Sequence, residues 1–260
     1  MLNALPDLAQ LRALVTDVGS PLADTMLARR TQTNEPARCA TLLPALAQLP
    51  APLALIEVGA SAGLTLLFDR YSYDYSGHHI EGDDRLAPTL RCQPRGPVPL
   101  PDRVPQIVWR VGLDLNPLDI GNDEDVRWLR CLVWPGEADR EERLTGAIAA
   151  ARRDPPTLHR GDLLTDLPAL VAQAPRDATV VVYHSAVLAY LTPQERISFA
   201  DTVQSLGVVW LSNEGPRVLP NLPAPAHHGA PFVLTRDGRS TLAVCDSHGT
   251  WVQWLINSTP

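Results

Sequence analysis

The chain has 260 residues, 45% of them hydrophobic, and a formal charge of −7 at pH 7, which suits one large α/β domain or a smaller one with an appendage. All 22 basic residues are arginine, and this excludes chemistry that needs a lysine, such as a pyridoxal-phosphate Schiff base or a Walker A phosphate contact. The acidic balance argues against a nonspecific nucleic-acid binder, whose affinity rests on a basic face.

Residues 1–50 read as helices over Leu5–Val18, Pro21–Arg30 and Pro36–Leu49, broken at Gly19-Ser20 and near Asn34. They are expected to form a helical lid or cap, with 51–260 as the main domain. Leu53–Val58 reads as a buried strand with Glu57 at its carboxyl end. The next five residues, Gly59-Ala60-Ser61-Ala62-Gly63, carry nothing larger than a hydroxymethyl, so a ligand could lie against bare backbone. Leu64, Leu66, Leu67 and Phe68 then predict a helix over Leu64–Tyr71. A strand, a glycine turn and a helix N-terminus together make a nucleotide-type site. The dinucleotide fingerprint G-x-G-x-x-G fails, because Ser61 and Leu64 stand at the second and third glycine positions. An NAD-type oxidoreductase is therefore disfavoured.

From Ser72 to Pro105 the prolines exclude helices and predict an irregular insertion or a short hairpin. Ile107–Asp114 reads as a strand ending in an acid, followed by helices over Asp123–Val133 and Glu137–Arg152. A short strand at Thr157–Arg160 leads to Gly161-Asp162 and a weak helix over Thr165–Ala172. Ala178–Tyr183 is the clearest buried strand, Pro193–Leu206 a helix with proline in its first turn, and Val208–Leu211 the next strand. The tail from Phe232 to Trp254 alternates, with turn signals at Asp237-Gly238 and His248-Gly249, as antiparallel hairpins do. The expected fold is α/β, a mostly parallel Rossmann-like sheet with an antiparallel C-terminal hairpin and N-terminal helices.

Glu57, Gly59 and Gly63, with Ser61 in the middle glycine's place, resemble the acid-x-G-x-G-x-G motif of the class I S-adenosylmethionine (SAM) methyltransferases. That family carries an acid after its second strand, often another after the third, and its catalytic region after the fourth. Asp114, Asp162 and Tyr183-His184-Ser185 stand at those stations in the right order. The gap from the first strand to Asp114 is much longer than the ~20 residues usual in a dinucleotide fold, so the 72–105 insertion has to fall between them. The segments Thr31–Arg38, Glu57–Leu64, Asp69–Tyr73, Gly112–Asp119 and Val181–Ser185 more closely resemble a bacterial family catalogued as domain-of-unknown-function family 2332. The resemblance covers nearly the whole chain and implies a SAM-methyltransferase-like fold with no established substrate.

By this resemblance, Glu57 and the backbone of Gly59, Ala60, Ser61 and Gly63 would hold the methionine end of SAM. Asp114 would take the ribose hydroxyls, and Asp162 with Leu163 the adenine. The alternative for Asp114 is an Asx-type turn cap ahead of Asn116-Pro117, and for Asp162 a cap on the following helix. His184, at the carboxyl edge where open α/β sheets place ligands, is the acid–base candidate; its alternative is a structural histidine bonded to a neighbouring loop. Glu214 opens onto the same edge and could accept a proton or bind a cationic acceptor, or stand as a solvated loop acid. Glu35 and Arg38, where a helix begins, could face an acceptor, or Asn34 could simply cap that helix. Ser185 lacks the G-x-S-x-G setting of a hydrolase nucleophile, since Tyr183 and Val187 flank it.

The four cysteines, Cys39, Cys92, Cys131 and Cys245, lie far apart with no C-x-x-C, which suits reduced thiols in a cytoplasmic protein. The adjacent pairs His78-His79 and His227-His228 point to opposite sides in extended chain, so no metal is expected. With no basic-then-apolar leader and no run of membrane-spanning length, the chain reads as cytoplasmic. The expected activity is methyl transfer from SAM to a small molecule or a protein side chain. The alternative is a non-catalytic protein that binds SAM or another adenosine ligand as a sensor or partner.

Overall fold

Leu53–Val58 carries no polar residue except Glu57, and a strand that is apolar on both sides must be covered on both faces. In the computed structural model, which describes residues 7–16, 21–219 and 231–255, all six of its residues are buried. The chain divides into two compact units, residues 1–33 and 34–260. The first contains helices α1 (Leu8–Thr16) and α2 (Pro21–Ala28). Gly19-Ser20, the expected break between them, lies outside the described residues.

The second unit opens with α3 (Arg38–Leu46), buried along its whole length. It continues through β1 (Leu53–Val58), β2 (Ser72–Tyr75), β3 (His78–Ile80), β4 (Thr89–Arg91), β5 (Gln93–Arg95) and β6 (Ile107–Asp114). Helices α4 (Asp123–Cys131) and α5 (Ala138–Arg153) lead to β7 (Thr157–Arg160), α6 (Leu167–Val171) and β8 (Thr179–Ser185). Then come α7 (Pro193–Ser205), β9 (Val209–Glu214), β10 (Phe232–Arg236), β11 (Ser240–Cys245) and β12 (Trp251–Trp254).

Among the described residues, nine strands form the main sheet in the order β5-β12-β11-β10-β9-β8-β1-β6-β7. The run β7-β6-β1-β8-β9 is parallel throughout, β9 to β12 form an antiparallel meander, and β5 adds parallel to β12. From β1 the chain builds β6 and β7 on one side, then returns to build β8 and β9 on the other. The strand order therefore reverses between β1 and β8, a topological switch point. One face packs Leu53, Leu55, Val181, Tyr183 and Leu211 into the core that contains α3. The other packs Ile56, Val58, Val182 and Trp210 against Phe199 and Val203 of α7. Helix α7 starts with a complete capping box, in which Thr192 and Glu195 satisfy each other's main-chain N–H.

Two expectations are corrected. The helix over Leu64–Tyr71 does not form; only Leu64–Leu66 make one 3-10 turn. The reason lies in the carbonyls that a helix would use internally. Leu64 O accepts from the Tyr71 hydroxyl at 2.7 Å, Phe68 O from the Tyr73 hydroxyl at 2.7 Å, and Thr65 O from the Tyr183 hydroxyl at 3.0 Å. Gly63, at φ 71°, turns the chain left-handed just before it. The 72–105 segment is more regular than an irregular insertion. β2 and β3 make a hairpin, β4 pairs parallel with β2, and β5 crosses to the border of the main sheet.

Candidate functional site

The carboxyl edge of the parallel strands gathers most of the buried polar side chains. Glu57 ends β1, Asp114 ends β6, His184 and Ser185 end β8, and Asn213 and Glu214 end β9. The strand β9 runs three residues further than the expected Val208–Leu211, so Ser212, Asn213 and Glu214 are paired strand residues. Glu214 is therefore not a loop acid; it is 2% exposed. Alternation assigns Glu57, Ser185 and Asn213 to the α3 face, and His184, Ser212 and Glu214 to the α7 face.

On the α3 face the centre is Arg38, brought in by the first turn of α3. Its Nε donates to Ser247 O at 2.9 Å and its Nη1 to Ser185 O at 3.1 Å, while the guanidinium lies 5.7 Å from the Phe232 ring centre. Arg38 lies in the field of Glu35, Glu57 and Glu214. Burial pushes the Glu57 carboxyl up to about 8, against the Thr65 hydroxyl that bonds it and the Arg38 charge, which favour its anion. Glu57 Oε2 is buried with no partner. Burial would raise Glu35 too, but Arg143 and Arg140 outweigh it and hold its carboxyl below the ordinary value. Arg140 Nε and Arg143 Nε each donate to one of its oxygens at 2.9 Å.

On the α7 face, His184 is sealed. Its Nε2 accepts from Trp210 Nε1 at 3.0 Å, and its Nδ1 lies 2.7 Å from Glu214 Oε1. The indole nitrogen can only donate, so Nε2 is the bare nitrogen and Nδ1 carries the hydrogen that Glu214 accepts. The same Glu214 oxygen accepts from the main-chain N–H of Val187 at 2.8 Å and Leu188 at 3.0 Å. With 0% exposure and both nitrogens engaged, His184 is a positioning residue; the expected acid–base contact with a ligand is not available to it.

The small-residue turn after β1 is closed in the same way. Gly59 N and Ala60 N donate to Leu113 O, Ser61 N to Asp114 Oδ2 at 2.7 Å, and Leu64 N to Asn34 Oδ1 at 2.8 Å. Asp114 Oδ1 accepts from Asn116 N at 2.7 Å, the Asx-type turn of the alternative reading. A Cβ on Gly59 would meet Val187 Cγ2 at 2.3 Å, and one on Gly63 would meet Pro156 Cγ at 2.7 Å. The glycines thus admit the chain's own side chains at the switch point. Asp162 Oδ1 caps Leu164 N at 2.8 Å, and Leu163 is 9% exposed and packed in the α7-side core. A cleft of about 270 Å³ lies beside the turn, lined by Ala62, Pro117, Leu118, Ile120, Pro156 and Leu158. A cavity of about 730 Å³ opens at the opposite end of the sheet, where β1 and β6 begin, away from this cluster.

Several residues of the cluster carried no flag in the sequence. Arg140 and Arg143 are three apart on α5, a spacing that puts both on one helix face and could have marked them. His248 has its Nδ1 buried without a partner; burial, then the Arg140 and Arg38 charges, lower its pKa. Trp210 and Val187 gave no signal, because their roles depend on partners distant in sequence, His184 for the first and Gly59 and Glu214 for the second. Among the described residues no three His, Cys, Asp or Glu side chains gather to hold a metal ion. His227-His228 lie outside the described residues. No helix among the described residues is long and apolar enough to cross a membrane. The four cysteines are free thiols, three of them buried.

No curated protein and no solved structure matches the chain. A family model described as an uncharacterized protein conserved in bacteria (DUF2332) matches residues 6–254. The chain belongs to the DUF2332 family of bacterial proteins.

Proposed function

We propose that the protein binds SAM at the carboxyl edge of its parallel strands and acts as a methyltransferase on a small molecule or a protein side chain. The observation that carries this reading is the strand order β7-β6-β1-β8-β9, with Glu57, Asp114 and Asp162 at or just beyond the ends of β1, β6 and β7. An open sheet whose order reverses at its first strand takes ligands outside its carboxyl edge.

A ligand here would take over contacts that the turn already makes within the chain. Glu57 ends the first strand where the ligand's ammonium group would need a carboxylate, and because burial raises its carboxyl to about 8, a cation bound there would draw its proton off. Ser61 N and Leu64 N already hold oxygens, from Asp114 and Asn34, as they would hold the ligand's carboxylate. The ribose assignment fits less well, because both Asp114 oxygens already accept main-chain N–H groups. Those bonds would have to be exchanged for ribose hydroxyls. When bound, the ligand supplies an electrophilic methyl group. The chain's own part is to orient it and to exclude water, which positions the acceptor.

The sealed His184 favours a second reading, in which the protein binds SAM or another adenosine ligand without turnover. Thermal shift with SAM, S-adenosylhomocysteine, NAD and ATP separates these readings from others. Either sulfur nucleoside at ~100 times its dissociation constant should add ~2.7 kcal/mol to stability. Stabilisation by NAD alone would overturn both readings.

A further inference from the structure

Six buried side-chain atoms among the described residues have no hydrogen-bond partner, and three of them meet in one place. Glu214 Oε2, Ser212 Oγ and Thr235 Oγ1 belong to residues that line a single small cavity on one face of the β9–β10 pair, bordered by Gly215, Arg217 and Leu219. The pairing explains the meeting. Ser212 stands opposite Thr235 and Glu214 opposite Val233, so all four project from the same face of the antiparallel pair. Glu214 is 2%, Ser212 1% and Thr235 2% exposed. Buried polar atoms in native proteins are almost always satisfied, and three orphans around one space call for an occupant.

We propose that this cavity binds one water molecule, held by Glu214 Oε2, Ser212 Oγ and Thr235 Oγ1. Its room, about 10 Å³, admits a single molecule of that size. The partners also match in kind. A carboxylate oxygen can only accept, and water donates to it. The two hydroxyls can each donate or accept, so a water satisfies all three groups at once, the usual number of bonds for a buried water. A metal cation suits the cavity less. Three oxygens are about half of what a hard cation gathers, and Arg217 borders the space.

The water has a structural consequence. Glu214 Oε1 fastens His184 Nδ1 and the main-chain N–H groups of Val187 and Leu188, which keep Val187 seated on Gly59. The water satisfies the other oxygen of that carboxylate, so the seat is held by a hydrated Glu214. This inference does not depend on what the turn after β1 binds.

High-resolution crystals of the wild-type protein, one grown in sodium salt and one soaked in rubidium chloride, test it. The expected result is one peak in both, within roughly 2.7–3.1 Å of all three oxygens and without rubidium anomalous signal. Crystals of Thr235→Val should lose that peak or show it weakened. An absent peak, a rubidium peak or a protein atom in that place overturns the proposal. An unchanged peak in Thr235→Val overturns the three-partner assignment. Should the variant fail to fold, the two wild-type crystals still decide the matter.

Discussion

Val187 rests on the bare α-carbon of Gly59 so closely that a Cβ there would come within 2.3 Å of its Cγ2. The crevice at the switch point, where a sheet of this order receives ligands, is thus filled by a residue of the turn that follows β8. Val187 is in turn tied by its N–H to Glu214. Any ligand that reaches the turn after β1 from this side has to move a side chain fastened through a carboxylate on β9.

Gly59→Ala should therefore be costly for two separable reasons. The φ of +70° asks an L-residue for a left-handed conformation, about 1–2 kcal/mol, and the clash with Val187 adds about 1–3 kcal/mol. Val187→Ala in the same chain should recover the second part only. Urea melts of the two single variants and the double variant give the coupling directly.

His184→Ala should destabilise the protein by about 2–4 kcal/mol, because it strands the Trp210 indole N–H and opens a hole between Trp210 and Phe199. A ligand-contact histidine on an open edge would cost much less. Nitrogen NMR of the wild-type ring should show a hydrogen on Nδ1 and a bare Nε2. The opposite tautomer would contradict the Trp210 bond.

Glu57 makes stability fall as pH rises. Its folded value of about 8 lies above the ordinary 4.5, so between those values the native state binds a proton that the unfolded chain has released. The slope should approach about 1.4 kcal/mol per pH unit within that window. Denaturant melts from pH 5.5 to 8 should show the decline, and Glu57→Gln should flatten it.

Glu35 works in the other direction. Its carboxyl is held below its ordinary value in the fold, so its contribution is complete above 4.5 and is lost as pH falls through the lowered value. Arg143→Met removes one of its two guanidinium partners and should cost about 1.5–3 kcal/mol near neutral pH. Thermal melts at pH 7 and pH 3 should show that difference shrinking with acid.

The strands β1 and β8 were legible because apolar runs need cover on both faces, and α7 because Pro193 marks a helix start. Leu64–Phe68 misled for the same reason that it attracted attention. All five residues are buried, so the apolar spacing reflects a packed loop and cannot distinguish it from a helix. Its fate was set by Tyr71, Tyr73 and Tyr183, one of them more than a hundred residues away. The polar run Ser212-Asn213-Glu214 looked like a loop because a strand's partners do not show in its own residues. His184 was marked by its place at the end of a buried strand, while the Trp210 N–H that occupies its Nε2 is 26 positions on and leaves no local trace.

The small strand β5 leaves the segment between β1 and β6 and reaches the far border of the main sheet, where Gln93–Arg95 run beside Trp251–Gln253 and Arg95 stacks 3.9 Å from the Trp251 ring centre. The tail is thereby clasped by a piece of chain made about 160 residues before it. Clipping the last strand would unclothe two borders at once, and a ribosome that has released only the first half holds an arm waiting for its counterpart.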